Sequence, residues 1–222
     1  MSPTAEEDGG VIAAVTLYEN DFEGATNEEP ERREGLPNFI HALPGRLNDY
    51  FGPPAVPKIG PPKFFNENIN LETVFVTNSI SLDNGQPYQD PTGTGGDFAI
   101  GFQNIFDDDQ MAISIDLGGR CGVEVSFDAT PLYFINWTGI RRPYADAAFT
   151  VSVLDDPNAV AALDGALLDS DTGFCPRGSD QITFNWTRHT LTLDASGSTN
   201  GIVSIRFGVT SGNYAVLDNI VI

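Results

Sequence analysis

Positive charge is scarce in this sequence. Lysine occurs only at Lys58 and Lys63, and lysine and arginine together number 11 against 31 aspartates and glutamates, which gives a net charge of −20. Proteins that bind nucleic acid or anionic membranes need exposed lysine and arginine to neutralise phosphates. The composition therefore argues against a nucleic-acid partner. The negative field attracts cations such as Ca²⁺, or it is a solvated surface that only keeps the protein soluble.

Long apolar runs are also missing. No stretch approaches the roughly 18 apolar residues that a membrane-spanning helix needs, so we expect no membrane insertion. Residues 1–10 lack the basic start and the apolar run of a signal peptide. We expect them to be a leader outside the fold, and residues 11–222 to form one domain cut from a longer secreted or cell-surface protein.

Cysteine and histidine are too few for a zinc site. There are two cysteines, Cys121 and Cys175, and the two histidines, His41 and His189, have no ligand spacing between them. A Cys121–Cys175 disulfide, as expected in a secreted domain, closes a loop of about 54 residues and adds about 4 kcal/mol in the chain-entropy model. The alternative is two buried free thiols.

Catalytic motifs are absent as well. The sequence contains no Gly-x-Ser-x-Gly elbow, phosphate-binding loop or dinucleotide fingerprint. A pair of carboxylates for glycoside hydrolysis depends on spatial separation, which sequence does not reveal. We predict that the chain is not an enzyme, with a glycan-cleaving enzyme as the weakest alternative.

What the sequence has in abundance is apolar–polar alternation of period two, the pattern of half-buried strands. Turn residues such as those in 83–85, 118–119, 196–198 and 211–213 separate the runs. About eleven strands and 23 glycines predict an all-β fold, an antiparallel β-sandwich of jelly-roll type. The runs are 11–18, 74–82, 98–102, 111–117, 121–127, 133–137, 149–154, 182–186, 189–193, 202–209 and 215–222.

Two segments depart from this rhythm. Residues 25–70 are charged at first and then rich in proline, which removes ladder hydrogen bonds, so we predict a long irregular insertion that packs over one sheet face. Residues 156–163 predict a short helix, with Asp156 as N-cap and Pro157 in the first helical position.

Carboxylates cluster in the first and last strand patterns. Glu19, Asp21 and Glu23 alternate along an extended chain and would point to one face, with Phe22 turned to the core. Asp218 interrupts the apolar rhythm of the last strand. If the two strands pair, these four carboxylates supply the charged ligands of a Ca²⁺ site. Alternatively they are ordinary solvent-facing acids.

These terminal motifs carry a resemblance. The N-terminal Asn20-Asp-Phe-Glu-Gly24, paired with the C-terminal Tyr-Ala-Val-Leu-Asp-Asn-Ile-Val-Ile of residues 214–222, resembles the jelly-roll, galactose-binding-like superfamily, which includes many carbohydrate-binding modules and bacterial surface domains. In that group such motifs flank a structural Ca²⁺. The resemblance implies ligand roles for Glu23 and Asp218 and supports Asp21, whereas Glu19 rests on spacing alone.

Candidate ligand-binding residues are aromatic or basic. Trp137 and Trp186 could present flat rings to a sugar, although core packing is the commoner fate of tryptophan in a strand. Arg141 and Arg142 could grip an acidic sugar or pair with surface acids. The acidic run 107–109 could hold a second Ca²⁺ or be a solvated turn.

Taken together, these residues predict an extracellular, calcium-stabilised binding or adhesion module that recognises a carbohydrate or cell-surface glycan. The alternative is a structural subunit of a surface layer or filament, which would associate with itself through exposed edge strands.

Overall fold

The structure, a computed structural model, describes residues 14–23, 39–41, 63–66, 72–75, 88–104, 110–133 and 143–222. Within these residues there is no helix, and none therefore that could cross a membrane. The twelve strands are β1 (Glu19–Asn20), β2 (Phe39–His41), β3 (Lys63–Asn66), β4 (Glu72–Phe75), β5 (Phe98–Gln103), β6 (Gln110–Asp116), β7 (Gly122–Pro131), β8 (Ala147–Asp155), β9 (Leu167–Cys175), β10 (Thr187–Asp194), β11 (Ile202–Ser211) and β12 (Tyr214–Val221).

The strands form two antiparallel sheets. The seven-stranded sheet has the order β10-β7-β12-β5-β4-β2, with β1 pairing to β12, and the five-stranded sheet has the order β3-β6-β11-β8-β9. The all-β, jelly-roll sandwich predicted from the alternating runs is confirmed. Neighbours in each sheet are mostly distant in sequence. The last strand, β12, for example, lies in the interior of its sheet, between β7 and β5.

The core lies between the sheets and follows the alternation. Odd-numbered residues of β6 (111–115), β8 (147–153) and β11 (203–209) face inward, and each is almost fully buried. Aromatic rings fill the centre: the Phe127 ring lies 6.0 Å from Phe149 and 5.6 Å from Phe207, both edge-on. Edge-to-face contacts of this kind stabilise a core beyond the apolar area that they bury.

A second, smaller cluster packs outside the seven-stranded sheet. It comprises Tyr88, Ala99, Leu132, Phe184, Tyr214 and Val216, with Ile182 and Trp186 against it. The segment 182–186 was expected to be a strand because it alternates, but only an isolated bridge, Gln89 to Thr183, forms there. Its apolar residues cover the sheet face rather than extend a ladder.

The helix predicted at 156–163 does not form. The Asp156 carboxylate accepts hydrogen bonds from the N–H groups of Val160 (3.1 Å) and Ala161 (2.9 Å), four and five residues on, whereas an N-cap would accept them two or three residues on. Ala159 and Ala161 also have φ of 52° and 56°, in the left-handed region that a right-handed helix cannot contain. The segment is therefore a compact loop.

Two strands lie inside the segment predicted to be an irregular insertion. β2 pairs with β4, and β3 pairs with β6 at the edge of the five-stranded sheet. All the other residues of 25–70 lie outside the described part of the chain, and so does the acidic run 107–109.

The predicted Cys121–Cys175 disulfide is wrong, since both cysteines are free. Cys121 lies just before β7, where Ala195 donates to its carbonyl oxygen, whereas the Cys175 sulfur lies 3.3 Å from Nε2 of His189, which pairs with Phe127. Six residues of extended chain, about 20 Å, separate these two levels of β7, far more than a disulfide spans. Burial raises the pKa of the Cys175 thiol to about 12.

Replacing Phe127 tests the weight of the aromatic core. Phe127→Ala should lower the free energy of unfolding by about 3–5 kcal/mol, because it removes a fully buried ring and leaves a cavity. Phe174→Ala is the matched control: its side chain is 57% exposed, so the change should stay within about 0.5 kcal/mol. Urea denaturation of both variants measures the difference, and equal losses would contradict this description of the core.

Candidate functional site

The first and last strands pair, as the sequence predicts. Glu19 lies opposite Val221 and Asn20 opposite Ile220. The pairing continues before β1, where Leu17 donates to the Ile222 carbonyl at 2.6 Å and Ile222 donates to the Tyr18 carbonyl at 2.8 Å. The two terminal segments thus form one antiparallel unit.

Asp218 occupies an irregularity in the last strand. The register between β12 and β7 shifts between Asp218 and Val221, and Asn219 has a left-handed φ of 50°. The Asn219 N–H donates to Asp218 Oδ1 at 2.6 Å. At this bulge the Asn219 side chain and carbonyl contact neighbouring loops and strands. β12 therefore supplies two adjacent polar residues, Asp218 and Asn219.

Asp128 completes the site from the neighbouring strand, and sequence reasoning missed it. It lies directly opposite Asp218 in the register of β7 and β12 and is only 9% exposed. Its Oδ2 accepts hydrogen bonds from Asn219 Nδ2 and Arg188 Nη1, each at 3.1 Å. The Arg188 guanidinium also donates to the Asn219 carbonyl at 2.9 Å. One cation thus offsets part of the negative charge.

The loop before β5 forms a second wall. The Asp90 carboxylate holds this loop by accepting bonds from the N–H groups of Gly93 and Gly95. Thr94 then presents its carbonyl oxygen to Asn219 Nδ2 at 2.8 Å. The loop is therefore tied to the bulge of β12.

The N-terminal carboxylates divide between two places. Phe22 is buried as predicted, but its φ of 57° ends the extended chain after Asn20. The alternation therefore breaks between Asp21 and Glu23, whereas Glu19 and Asp21 line one cavity beside Asp128. Glu23 reaches across to the loop before β5, where its Oε1 accepts the N–H of Asp97 at 2.7 Å.

Burial and like charge act strongly on Asp218. Its side chain is 1% exposed, and its pKa is raised from 3.8 to about 8. Desolvation is the largest cause of the raised pKa. The hydrogen bond from the Asn219 N–H comes next and lowers the pKa, and the negative charges of Glu23, Asp128 and Asp21 raise it further. We call Asp21, Glu23, Asp128 and Asp218 the acidic cluster.

The acidic cluster is not closed as a metal centre. Among the residues that the structure describes, no three histidine, cysteine or carboxylate side chains are arranged to hold a metal ion. Glu23 is turned towards the Asp97 N–H, and Arg188 occupies one side of Asp128. The metal-ligand roles predicted for Glu19, Asp21, Glu23 and Asp218 remain predictions.

A second polar surface lies on the outer face of the five-stranded sheet. Strand register places Thr172, Thr150, Gly208 and Gln110 in one row across β9, β8, β11 and β6. Thr150 Oγ1 lies 3.1 Å from Thr172 Oγ1 and 3.2 Å from Thr210 Oγ1. Phe174, two residues beyond Thr172, shares this face and is 57% exposed. We call Thr150, Thr172, Thr210 and Phe174 the hydroxyl face.

The loop after β8 folds over the other half of the same sheet. Asp156 accepts a hydrogen bond from the buried Ser114 at 2.8 Å, and Arg206 donates to the Leu163 carbonyl at 3.0 Å. Ser204, beside Ser114 in the register, is fully buried. Half of the sheet is thus covered, and the hydroxyl face is the half with exposed side chains.

Among the predicted ligand-binding residues, the structure describes Trp186 alone. It is half-buried, its ring centroid lies 5.4 Å from that of Phe184, and its indole N–H is buried without a hydrogen-bond partner. Trp137, Arg141 and Arg142 lie outside the described residues. Their binding roles remain predictions.

No protein-family profile and no curated protein matches the chain. Among solved structures it is similar to the C-terminal family 22 carbohydrate binding module of Clostridium thermocellum Xyn10B, with 9% identity, 93% of this chain and 92% of that chain covered, and a TM-score of 0.43. It is also similar to the K2 cleaved adhesin domain of Lys-gingipain, with 11% identity, 92% and 97% covered, and a TM-score of 0.42.

A third similar structure is the arabinose-bound α-L-arabinofuranosidase MgGH51, with 13% identity and a TM-score of 0.39. The match covers 71% of this chain but only 22% of that chain. Carbohydrate-binding modules, the group that the terminal motifs resemble, are thus among the similar structures.

The raised pKa of Asp218 predicts a pH-dependent stability in the presence of a chelator. Between its ordinary pKa of 3.8 and about 8, the folded chain holds a proton that the unfolded chain releases. Stability from this group is therefore complete at acid pH and is lost as the pH rises towards 8, by up to about 1.4 kcal/mol per pH unit.

Asp218→Asn cannot titrate, so its melting temperature relative to the wild type should rise from about pH 5 to about pH 8 and then level off. Asp116→Asn, which changes an exposed turn carboxylate, serves as control and should follow the wild type. If the melting temperatures of the wild type and Asp218→Asn change in parallel with pH, Asp218 does not carry a raised pKa.

Proposed function

We propose that this chain is a carbohydrate-binding module whose glycan lies on the hydroxyl face, and that it binds without cleaving. The observation that supports this most directly is the exposed Phe174 ring beside the Thr150–Thr172–Thr210 hydroxyl cluster. A pyranose has an apolar C–H face and a rim of hydroxyls, and this surface offers a partner for each.

The chemistry of the hydroxyl face suits a neutral ligand. Each threonine hydroxyl can donate one hydrogen bond and accept two, as sugar hydroxyls do. The row Thr172–Thr150–Gly208–Gln110 contains no carboxylate, although the chain has 31 acidic residues. Gly208 carries no side chain, so a flat ligand could approach the sheet closely there.

Glycan binding should fail when this face is changed. Phe174→Ala removes the stacking ring, and Thr172→Val removes one hydroxyl while keeping the shape and the strand preference of the residue. Each should weaken retention on a neutral polysaccharide about tenfold or more, as measured by affinity electrophoresis or calorimetry. Leu167→Ala is the matched control, because Leu167 is equally exposed, at 59%, near the opposite end of β9.

Two results would contradict the proposal. If the protein binds no ligand on a glycan array, carbohydrate is excluded as its ligand. If both variants bind a glycan with unchanged affinity, the hydroxyl face is excluded as the binding surface. Release of reducing ends from a bound polysaccharide would show the alternative function, a glycan-cleaving enzyme.

We further propose that Ca²⁺ binds at the acidic cluster and stabilises the pairing of the terminal strands. Support comes from the negative charges of Asp21, Glu23 and Asp128, which lie close enough to the fully buried Asp218 to raise its pKa. A divalent cation would replace the proton of Asp218 and relieve the repulsion among the four carboxylates. Binding requires the Asp21 and Glu23 side chains to close on Asp218, since Ca²⁺ takes about six to eight oxygen ligands.

Thermal melting with and without chelator tests the ion. At about pH 8, a Ca²⁺ concentration of about 100 times the dissociation constant should stabilise the fold by about 2.7 kcal/mol. Asp218→Asn should lose most of this gain, and Asp116→Asn should keep it. Equal melting temperatures of the wild type in Ca²⁺ and in EGTA would exclude a structural ion. A calcium-bound module of this kind suits a secreted or cell-surface protein.

A further inference from the structure

The free edge of the five-stranded sheet is closed by its own side chains. β9 ends the sheet and, in the described part of the chain, pairs only with β8. The Ser170 N–H donates to Asp169 Oδ1 at 2.8 Å, and the Thr172 N–H donates to Asp171 Oδ1 at 2.7 Å. In an antiparallel ladder alternate residues turn their N–H groups away from the neighbouring strand, and these two donors are of that kind.

An uncapped edge of this length would attract another strand. β9 has nine residues, and the exposed apolar residues Leu167 and Phe174 lie at its ends. Long exposed edges with free N–H and C=O groups are templates for pairing with a second chain. Side-chain carboxylates occupy two of the outward donors, those of Ser170 and Thr172 in the middle of the strand, and so withdraw them from such pairing.

A second copy of this chain is the partner that the edge fits. In a two-fold antiparallel β9–β9 pair centred on Asp171, Ser170 of one copy lies opposite Thr172 of the other, and each must donate its N–H across the interface. Those N–H groups are the two that Asp169 and Asp171 occupy. The two Asp171 side chains would also face each other, which adds like-charge repulsion.

The cap on Ser170 is held in place from a second direction. Asp169 Oδ2 accepts the N–H of Asp194, at the end of β10, at 2.8 Å. The carboxylate therefore bridges the edge strands of the two sheets and cannot rotate away without losing a second bond.

We infer that Asp169 and Asp171 form an autoinhibitory cap that prevents two copies of this chain from joining their five-stranded sheets through β9. The inference goes beyond glycan binding and does not depend on it. It argues against the alternative of a subunit that associates with itself through this edge strand, because the capped β9 edge opposes pairing with a second copy.

Two double variants separate the cap from charge alone. Asp169→Ala with Asp171→Ala removes both the acceptors and the charge. Asp169→Asn with Asp171→Asn removes the charge but keeps an acceptor oxygen at each position. Sedimentation equilibrium over a range of concentrations should show the double alanine variant associating at least about tenfold more strongly than the wild type, and the double asparagine variant remaining monomeric.

Amide hydrogen exchange locates the interface and checks the fold. In the dimer of the alanine variant, the Ser170 and Thr172 amides should become protected, while the β8–β11 amides keep their native protection. The inference is wrong if the alanine variant stays monomeric or if the asparagine variant dimerises equally well. It is also wrong if the wild type already dimerises with the Ser170 and Thr172 amides protected.

Discussion

The hydrogen bonds between the first and last strands are the constraint on which the rest of the structure depends. β12 lies between β7 and β5. On the side of β5, residues 17–20 pair with the last residues of the chain. The position of β12 places Asp218 opposite Asp128 and brings the loop before β5 against Asn219. The acidic cluster exists because three segments distant in sequence meet at one bulge: residues 21–23, β7 and β12. Repulsion among its four carboxylates destabilises this arrangement.

The sequence predicts strands well where one face is buried. β5, β6, β7, β8, β10, β11 and β12 each overlap an alternating run, because alternation records a core-facing side. β9 was not predicted, since it is an edge strand whose charged and hydroxyl residues are largely exposed. The same reasoning explains 182–186, whose apolar side chains are buried against a sheet face without forming a ladder.

Only some residues of the acidic cluster could be predicted from the sequence. Asp218 could be identified because it interrupts an apolar strand, and Phe22 because it stands between carboxylates. Asp128 could not, because its role depends on a register between strands about ninety residues apart. The predicted helix shows the converse: Asp156 accepts hydrogen bonds from N–H groups further along the chain than an N-cap would reach, and left-handed φ at Ala159 and Ala161, which sequence does not indicate, makes the segment a loop.

The row of Thr172, Thr150, Gly208 and Gln110 has a geometric consequence. It crosses four strands, so it runs perpendicular to them and spans about 14 Å at the usual strand spacing. One end of the row is β9, the margin of the sheet. A polymer lying along the row would pass over that margin into solvent, so the surface is shaped to accept an internal stretch of a long chain rather than to enclose its end.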